Sequence, residues 1–504
     1  MSPTNDQVLE ERARGGDPEA MLALGQSLLS QSRHGEQTET EGLQWIDAAG
    51  RAGHPLAPLV LGDFHSQRIT GPESLARAVT AYQAAAQANL PAALDRLGDL
   101  SLLGWGCPED PVLAVSLYGK TAELGYPVGF GHLAFCLDHG IGLPPNPVLA
   151  RRARLWQVAL AYPRGYFSAA LDLSRNPPID PVATHALASQ AAALGYPLSG
   201  DLLERSGSEL TREQREAALA LGNQLERHRT GFETAVGELE ARQALELGRP
   251  GFLNALALEH WRRMIQRPAL VLDPLPDLGP LSDAHQALPR SVTPLPTTVE
   301  RSMSPQVREY PDFLDPETLA HVMELVWHDL GPASGKVKDT LSNENDAFSG
   351  EVAMLRLPQA DLTIHWIAAR VSAVLGIPPE RIEPFSVLRY RTGHRYAEHV
   401  DYFDAARLEE YARSGDPGGQ RVGTFLIYLR APEAGGETHY PETGLKVRGR
   451  EGLGVWHGNV RSDGQPDPRS RHEGCPIERG EKWLLRTAIR ARPLYGAGAG
   501  PDSR

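Results

Sequence analysis

The chain is poor in cysteine: three residues in 504, at Cys107, Cys136 and Cys475. None forms a C-x-x-C pair, so neither a disulfide framework nor a cysteine zinc site is encoded, and a reducing, cytoplasmic setting is expected. Long apolar runs are also missing. No stretch approaches the ~20 residues that cross a bilayer, and the opening MSPTNDQVLEERARGG lacks the basic-then-apolar order of a signal peptide. Positive charge is in deficit, with 50 Lys and Arg against 63 Asp and Glu and a net charge of −13. That balance removes any bulk attraction to phosphate backbones or anionic lipid, so no nucleic-acid or membrane partner is expected. What remains is an ordinary globular composition, 41% hydrophobic and 22% charged. At ~150 residues per domain, the length accommodates about three domains.

The 50 glycines and 41 prolines are unevenly placed. Tripeptides ending in proline recur at Gly16–Pro18, Gly53–Pro55, Asn89–Pro91, Gly125–Pro127, Ala161–Pro163 and Gly195–Pro197, and these prolines stand 37, 36, 36, 36 and 34 residues apart. Six residues after each comes Leu24, Leu61, Leu97, Leu133, Ala169 or Leu203, and Gly25, Gly62 and Gly98 follow the first three. Aromatics Trp45, Tyr82, Tyr118 and Trp156 precede the next proline. A period of this size implies stacked supersecondary units with a shared core. Proline suits the first turn of a helix, where its missing N–H costs nothing. Each unit therefore reads as a helix hairpin, and residues 1–208 as an α-solenoid. The pattern resembles the Sel-one-like repeats, relatives of the tetratricopeptide repeat. Such solenoids present a surface for proteins or peptides.

Helical composition continues through residues 209–266, opened by the capping-box sequence Thr211–Gln214; this stretch reads as a helical cap or bridge. Prolines at 268, 274, 276, 280, 289, 294 and 296 forbid regular helix over 267–300, which reads as a linker or strap. The texture changes at 301–495. Two helices are expected, at Pro316–His328 and Asp361–Leu375. Short β-type runs follow, including 385–391, 398–403, 423–430 and the segment EKWLLRTAI. That order suggests a jelly roll with flanking helices. Residues 496–504 read as a flexible tail.

The chemistry concentrates in this last region. His399-Val400-Asp401 places an imidazole and a carboxylate at i and i+2, side by side on a strand. Two of the three facial ligands of a non-haem Fe(II) need such a pair, with a second histidine arriving from a facing strand, though the pattern alone equally describes a surface His/Asp pair. His472 is followed ten residues on by Lys482. A cation there answers the buried carboxylate that a 2-oxoglutarate cosubstrate would leave. His394 lies in a glycine turn and reads as solvent-facing. His439 and His457 read as residues that tune the iron's surroundings rather than as ligands, and Trp456 and Trp483 as core.

LRYRTGHRYAEHVDYFD, QRVGTFLIYLRAPEAGGETHYP and DPRSRHEGCPIERGEKW, in that order, resemble the prolyl 4-hydroxylase class of Fe(II)/2-oxoglutarate dioxygenases over about 190 residues from Val307 to Ile489. The resemblance implies a double-stranded β-helix with His399, Asp401 and His472 as iron ligands. Lys482 is then expected to hold the distal carboxylate of 2-oxoglutarate, Tyr390 and Thr438 to line its pocket, and Tyr396 and Arg421 to meet the peptide substrate. The implied cofactors are Fe(II), 2-oxoglutarate and O2, with ascorbate as reductant. Asp401 stands where related halogenases carry Ala or Gly, which favours hydroxylation. Six residues after the lysine, where prolyl hydroxylases tend to have tryptophan, this chain has Ala488.

The expected activity is hydroxylation of an unactivated C–H, on a prolyl or other residue of a protein or peptide recruited by the repeats, with release of succinate and CO2. The alternatives are a non-catalytic repeat scaffold or sensor, and a hydroxylase of a free amino acid or small metabolite. The loops Ala333–Gly350 and Asp404–Gln420 are expected at the entrance, the second with lid-like Gly, Asp and Pro content.

Overall fold

Two residues before each repeat proline, the backbone turns left-handed: Gly16, Gly53, Asn89, Gly125, Ala161 and Gly195 all have φ between 55° and 91°. That residue ends one helix, an extended residue follows, and proline opens the next, as in the helices Pro91–Leu103, Pro127–His139 and Pro163–Arg175. Glycine suits such a position because it has no Cβ to clash. This computed structural model describes residues 5–31, 36–67, 72–242, 252–265, 267–275, 294–332, 348–355, 360–413 and 415–494. The expected tail 496–504 lies outside them. So do most of the loop 333–350 and residues 276–293 of the proline-rich strap.

The chain divides into two compact units. One comprises Met1–Ala153, Phe232–Glu259 and Pro274–Ala287; the other comprises Arg154–Gly231, His260–Asp273 and Leu288–Arg504. Residues 154–231, which include the last two repeat signatures, fall in the second unit.

In the first unit, helices pair as antiparallel hairpins, Pro18–Gln31 with Glu36–Arg51 and Pro91–Leu103 with Pro111–Glu123. The Leu-Gly positions set the spacing. A Cβ on Gly62 would lie 2.4 Å from the Tyr82 ring, and one on Gly98 would lie 2.5 Å from the Tyr118 ring. Each tyrosine thus packs flat on a glycine, and its hydroxyl donates to the next residue, Asp63 or Asp99, at 2.8 Å. The repeated Leu-Gly-Asp and upstream Tyr are one interlocking contact, copied at the repeat period.

In the second unit, Thr211 and Gln214 exchange reciprocal hydrogen bonds of 2.9 and 3.2 Å, the expected capping box, at the start of the helix Arg212–Arg242. The helix Pro316–Val326 ends two residues earlier than expected, and Leu362–Leu375 begins one residue later, with Asp361 as its N-cap. Polar bridges tie the repeat-like helices to that first helix. Arg154 pairs with Glu317 at 3.2 Å, Arg164 meets His321 at 2.8 Å, and the Tyr196 hydroxyl donates to Glu324 at 3.1 Å. His321 bonds Asp361 on its other side.

Fourteen short strands follow among the described residues: β1 (Val299–Met303), β2 (Gln306–Tyr310), β3 (Gly331–Pro332), β4 (Glu351–Met354), β5 (Ser386–Tyr390), β6 (Tyr396–His399) and β7 (Arg421–Arg430). Then come β8 (Ala434–Gly435), β9 (Thr438–Tyr440), β10 (Leu445–Val447), β11 (Gly454–Gly458), β12 (His472–Gly474), β13 (Ile477–Arg479) and β14 (Lys482–Arg490). Eight form a sheet in the order β1-β2-β11-β7-β14-β5-β4-β3, and four a second sheet, β10-β9-β12-β6. A core of Leu388, Leu426, Tyr428, Leu484, Tyr440 and Val447 draws on both sheets, as a jelly roll requires. Every residue of β14 is buried. Its inner side chains face the core, while Trp483 stacks on Trp327 behind the sheet, ring centroids 5.5 Å apart.

Two expectations change. The run 398–403 is strand only to His399, so Asp401 sits just beyond the strand rather than on it. The expected lid contains a helix, Ala405–Arg413, because Ala, Leu, Glu and Arg dominate there and the turn-forming Gly and Pro begin only at Gly415.

Candidate metal centre

Antiparallel pairing of β12 with β6 puts His472 directly opposite His399, and their ring centroids lie 4.3 Å apart. Each imidazole is anchored through Nδ1, which donates to the carbonyl two residues earlier: His399 to Ala397 at 2.8 Å and His472 to Ser470 at 2.9 Å. With Nδ1 protonated, Nε2 carries the lone pair and points into the core. Asp401 completes the set. One donor atom from each residue lies within 4.8 Å of the others, and His399 Nε2 is 3.7 Å from Asp401 Oδ1.

All three residues are buried, which sets their charge states. Burial, with His472 alongside, pushes His399 down to about 3, and burial lowers His472 as well. Both imidazoles are neutral, as metal ligands must be. Burial alone would raise Asp401, but the Arg486 guanidinium holds it well below the usual carboxylate range. Arg486 donates to Asp401 Oδ1 at 3.1 Å, and Thr424 donates its hydroxyl to Oδ2 at 2.6 Å. Asn459 in turn donates to the Thr424 hydroxyl at 3.3 Å. Two neutral nitrogens and one fixed carboxylate clustered together suit a divalent Fe with open positions.

His457 approaches the same centre. It is fully buried, its Nε2 is 3.7 Å from Asp401 Oδ2, and among the described residues neither ring nitrogen has a hydrogen-bond partner. Burial pushes it well below its ordinary value, so it lines the site as a neutral ring 4.5 Å from His472. His439, expected beside it, faces the opposite side of the sheet and pairs with Glu473. Being between Thr438 and Tyr440, which point inward, it must point out.

Lys482 is 1% exposed. Its ammonium donates to the Gly436 carbonyl at 2.8 Å and lies 5.3 Å from the Tyr390 and Tyr428 ring centres. Among the described residues no carboxylate forms an ion pair with it. Burial pushes it down to about 8. A buried cation with only a carbonyl and two ring faces is a ready partner for an incoming anion. Tyr390 stands directly across from it on β5. Thr438 reaches the same space, its hydroxyl 3.0 Å from that of Tyr428.

Tyr396 and Arg421 are both buried. The Tyr396 ring stacks on His399 at 3.7 Å, which holds that imidazole in place. Arg421 is buried, bonded to both Glu383 oxygens at 2.8 and 2.7 Å, and lies over Phe403. Sequence reasoning missed Arg486, Thr424, Tyr428 and Asn459. A signal existed for three of them: inner positions alternate along β7 (424, 426, 428) and β14 (482, 484, 486), so polar residues in that phase had to face the core.

The sequence model of the 2OG-Fe(II) oxygenase superfamily matches residues 385–490, and that of the Sel1 repeat matches 91–126 and 132–152. The chain is 31% identical over 210 residues to a protein described as prolyl 4-hydroxylase 5 of Arabidopsis thaliana, covering 36% of this chain and 67% of that one. It is 30% identical over 215 residues to the probable prolyl 4-hydroxylase 7 of the same plant, covering 37% of this chain and 64% of the relative; about a third of each relative has no counterpart here. Among solved structures, the viral collagen prolyl hydroxylase of Paramecium Bursaria Chlorella virus-1 in its 2OG complex aligns at 22% identity. That match spans 37% of this chain and 96% of that one, with a TM-score of 0.28.

Proposed function

The chain belongs to the prolyl 4-hydroxylase-like 2OG-Fe(II) oxygenases, and we propose that it hydroxylates an unactivated C–H on a prolyl or other residue of a protein or peptide recruited by its repeats. The observation that carries this reading is the pairing of two buried, Nδ1-anchored histidines and a fixed carboxylate with a separate, buried lysine that forms no ion pair among the described residues. His399, His472 and Asp401 would hold Fe(II), and Lys482 the distal carboxylate of 2-oxoglutarate, with Tyr390 and Thr438 shaping that pocket. Bound there, these groups supply O2 activation coupled to decarboxylation of the keto acid to succinate and CO2.

The chain's own part is positional and electrostatic. The Ala397 and Ser470 carbonyls hold the imidazoles in the tautomer that presents Nε2. Arg486 and Thr424 keep Asp401 ionised and oriented, as a carboxylate that is to hold Fe(II) would have to be. Tyr396 buttresses His399, and the buried walls exclude water from the reacting centre. Ala488, buried across from Thr424 on β7, stands where prolyl hydroxylases tend to have tryptophan, which leaves the hydroxylated residue open to types other than proline. The free thiols fit action in a reducing cytoplasm, with ascorbate as reductant.

The test is anaerobic binding of Fe(II) and 2-oxoglutarate, followed by succinate release with candidate proteins, free amino acids and small metabolites. His399→Ala is expected to lose iron-dependent cosubstrate binding and all succinate release. Unchanged affinities in that variant would sink the assignment, and turnover of free amino acids but no protein would reassign the repeats to regulation.

A further inference from the structure

We propose a second metal site, for a borderline-soft divalent cation of the zinc class, held by His439, Glu473 and Cys475 on the outer face of the four-stranded sheet. One donor atom from each of these residues lies within 4.8 Å of the others. The strand alternation that sends Thr438, Tyr440 and His472 into the core sends His439 and Glu473 outward. His439 and Glu473 are direct cross-strand partners between β9 and β12, and His439 Nδ1 is 2.8 Å from a Glu473 oxygen. Cys475 follows β12. Its backbone N–H donates to the Glu437 carbonyl at 2.9 Å, which fixes the free thiol beside the pair. All three residues are half-buried, so donors are ordered while water can complete the coordination.

The donor chemistry separates this site from the inner one. The inner centre offers only imidazole and carboxylate, whereas here a thiolate joins one imidazole and one carboxylate, a set that favours Zn(II) or its probe Cd(II) over Fe(II). Binding would exchange the His439–Glu473 hydrogen bond for two metal bonds and release the thiol proton to solvent. Lys446, across from His439 on β10, places positive charge near Cys475 and weakens the attraction for a cation. The bound metal would clamp β9 to β12, the strands that carry Thr438 and His472 on their other face. Nothing in this assignment depends on the inner site being catalytic.

The experiment is a Cd(II) titration of the full chain, read by near-ultraviolet cadmium–thiolate absorption, to which the inner site cannot contribute. The wild type is expected to saturate at one thiolate-bound equivalent. Cys107→Ser should keep the band and Cys475→Ser should abolish it. His439→Phe should weaken binding by more than about tenfold, since losing a ligand costs at least as much as losing a second-layer partner. Circular dichroism of each variant, compared with wild type, excludes misfolding as the cause. A band absent from the wild type, one that survives Cys475→Ser, or affinity unchanged in both His439→Phe and Glu473→Gln would overturn the site.

Discussion

Replacing Arg486 with methionine tests the electrostatic reasoning at the inner centre. Asp401 is 3% exposed and draws its charge compensation from Arg486 at 3.1 Å, with the Thr424 hydroxyl at 2.6 Å. Removing one partner of a buried ion pair costs about 3–5 kcal/mol, because the other charge stays buried. For a unit of this size that corresponds to a Tm loss on the order of 10 °C. A bound divalent cation supplies the same compensation from the other side of the carboxylate. Metal should therefore rescue the variant more than it stabilises wild type, leaving a residual deficit of about 1 kcal/mol from lost packing.

The pH dependence carries a sign. Asp401 is depressed in the folded wild type, so its contribution is present above the unfolded carboxylate value of ~3.9 and is lost as pH falls through the lower folded value. In Arg486→Met that contribution disappears, and the gap between the two proteins should close in acid. Thermal unfolding of both proteins, with and without Co(II), across pH 3 to 8 measures all of this. An equal deficit with and without saturating metal, at every pH, would refute the idea that Arg486 acts through the Asp401 charge.

Lys482, lowered by burial to about 8 in the chain without cosubstrate, should lose its proton above that pH, and 2-oxoglutarate affinity should fall by roughly tenfold per unit there; calorimetric titration from pH 7 to 9.5 reads the slope, and a flat profile would remove Lys482 from carboxylate binding. Gly98→Val places a side chain where even a Cβ lies 2.5 Å from Tyr118. It should destabilise the repeats by about 1–3 kcal/mol, seen in urea unfolding, with the inner metal affinity unchanged. Arg154→Met strips Glu317 of its 3.2 Å partner. Because Glu317 is held low by Arg154 and Arg164 against burial, the variant should lose stability at pH 7 and approach wild type as pH falls below ~4, again by thermal unfolding.

The repeats were legible because their physics is local and recurs. A left-handed residue two before a helix-opening proline, and a Leu-Gly step that a tyrosine covers, leave the same letters at each period. The candidate metal ligands were legible for a related reason: few residue types bind iron, and their short spacing brings them together. The flanking residues were obscured by the opposite circumstance. Arg486, Thr424 and Asn459 are common polar residues whose roles depend on three strands, β7, β11 and β14, meeting around one carboxylate, and no local spacing encodes that meeting.

Sequence by itself pointed to the two fold types and to the candidate metal triad and the buried lysine, since each follows from short-range periodicity or from the chemistry of individual side chains. Only the tertiary structure decided that Asp401 lies beyond its strand, that Tyr396 stacks on His399 and Arg421 pairs with Glu383, and that His457 faces the centre while His439 turns away to meet Glu473 and Cys475. It also decided that residues 154–231 fold with the oxygenase sheets, through Arg154, Arg164 and Tyr196. The reason is the same in each case: these outcomes depend on long-range pairing, in which a side chain's partner is set by how sheets and helices pack rather than by its neighbours along the chain.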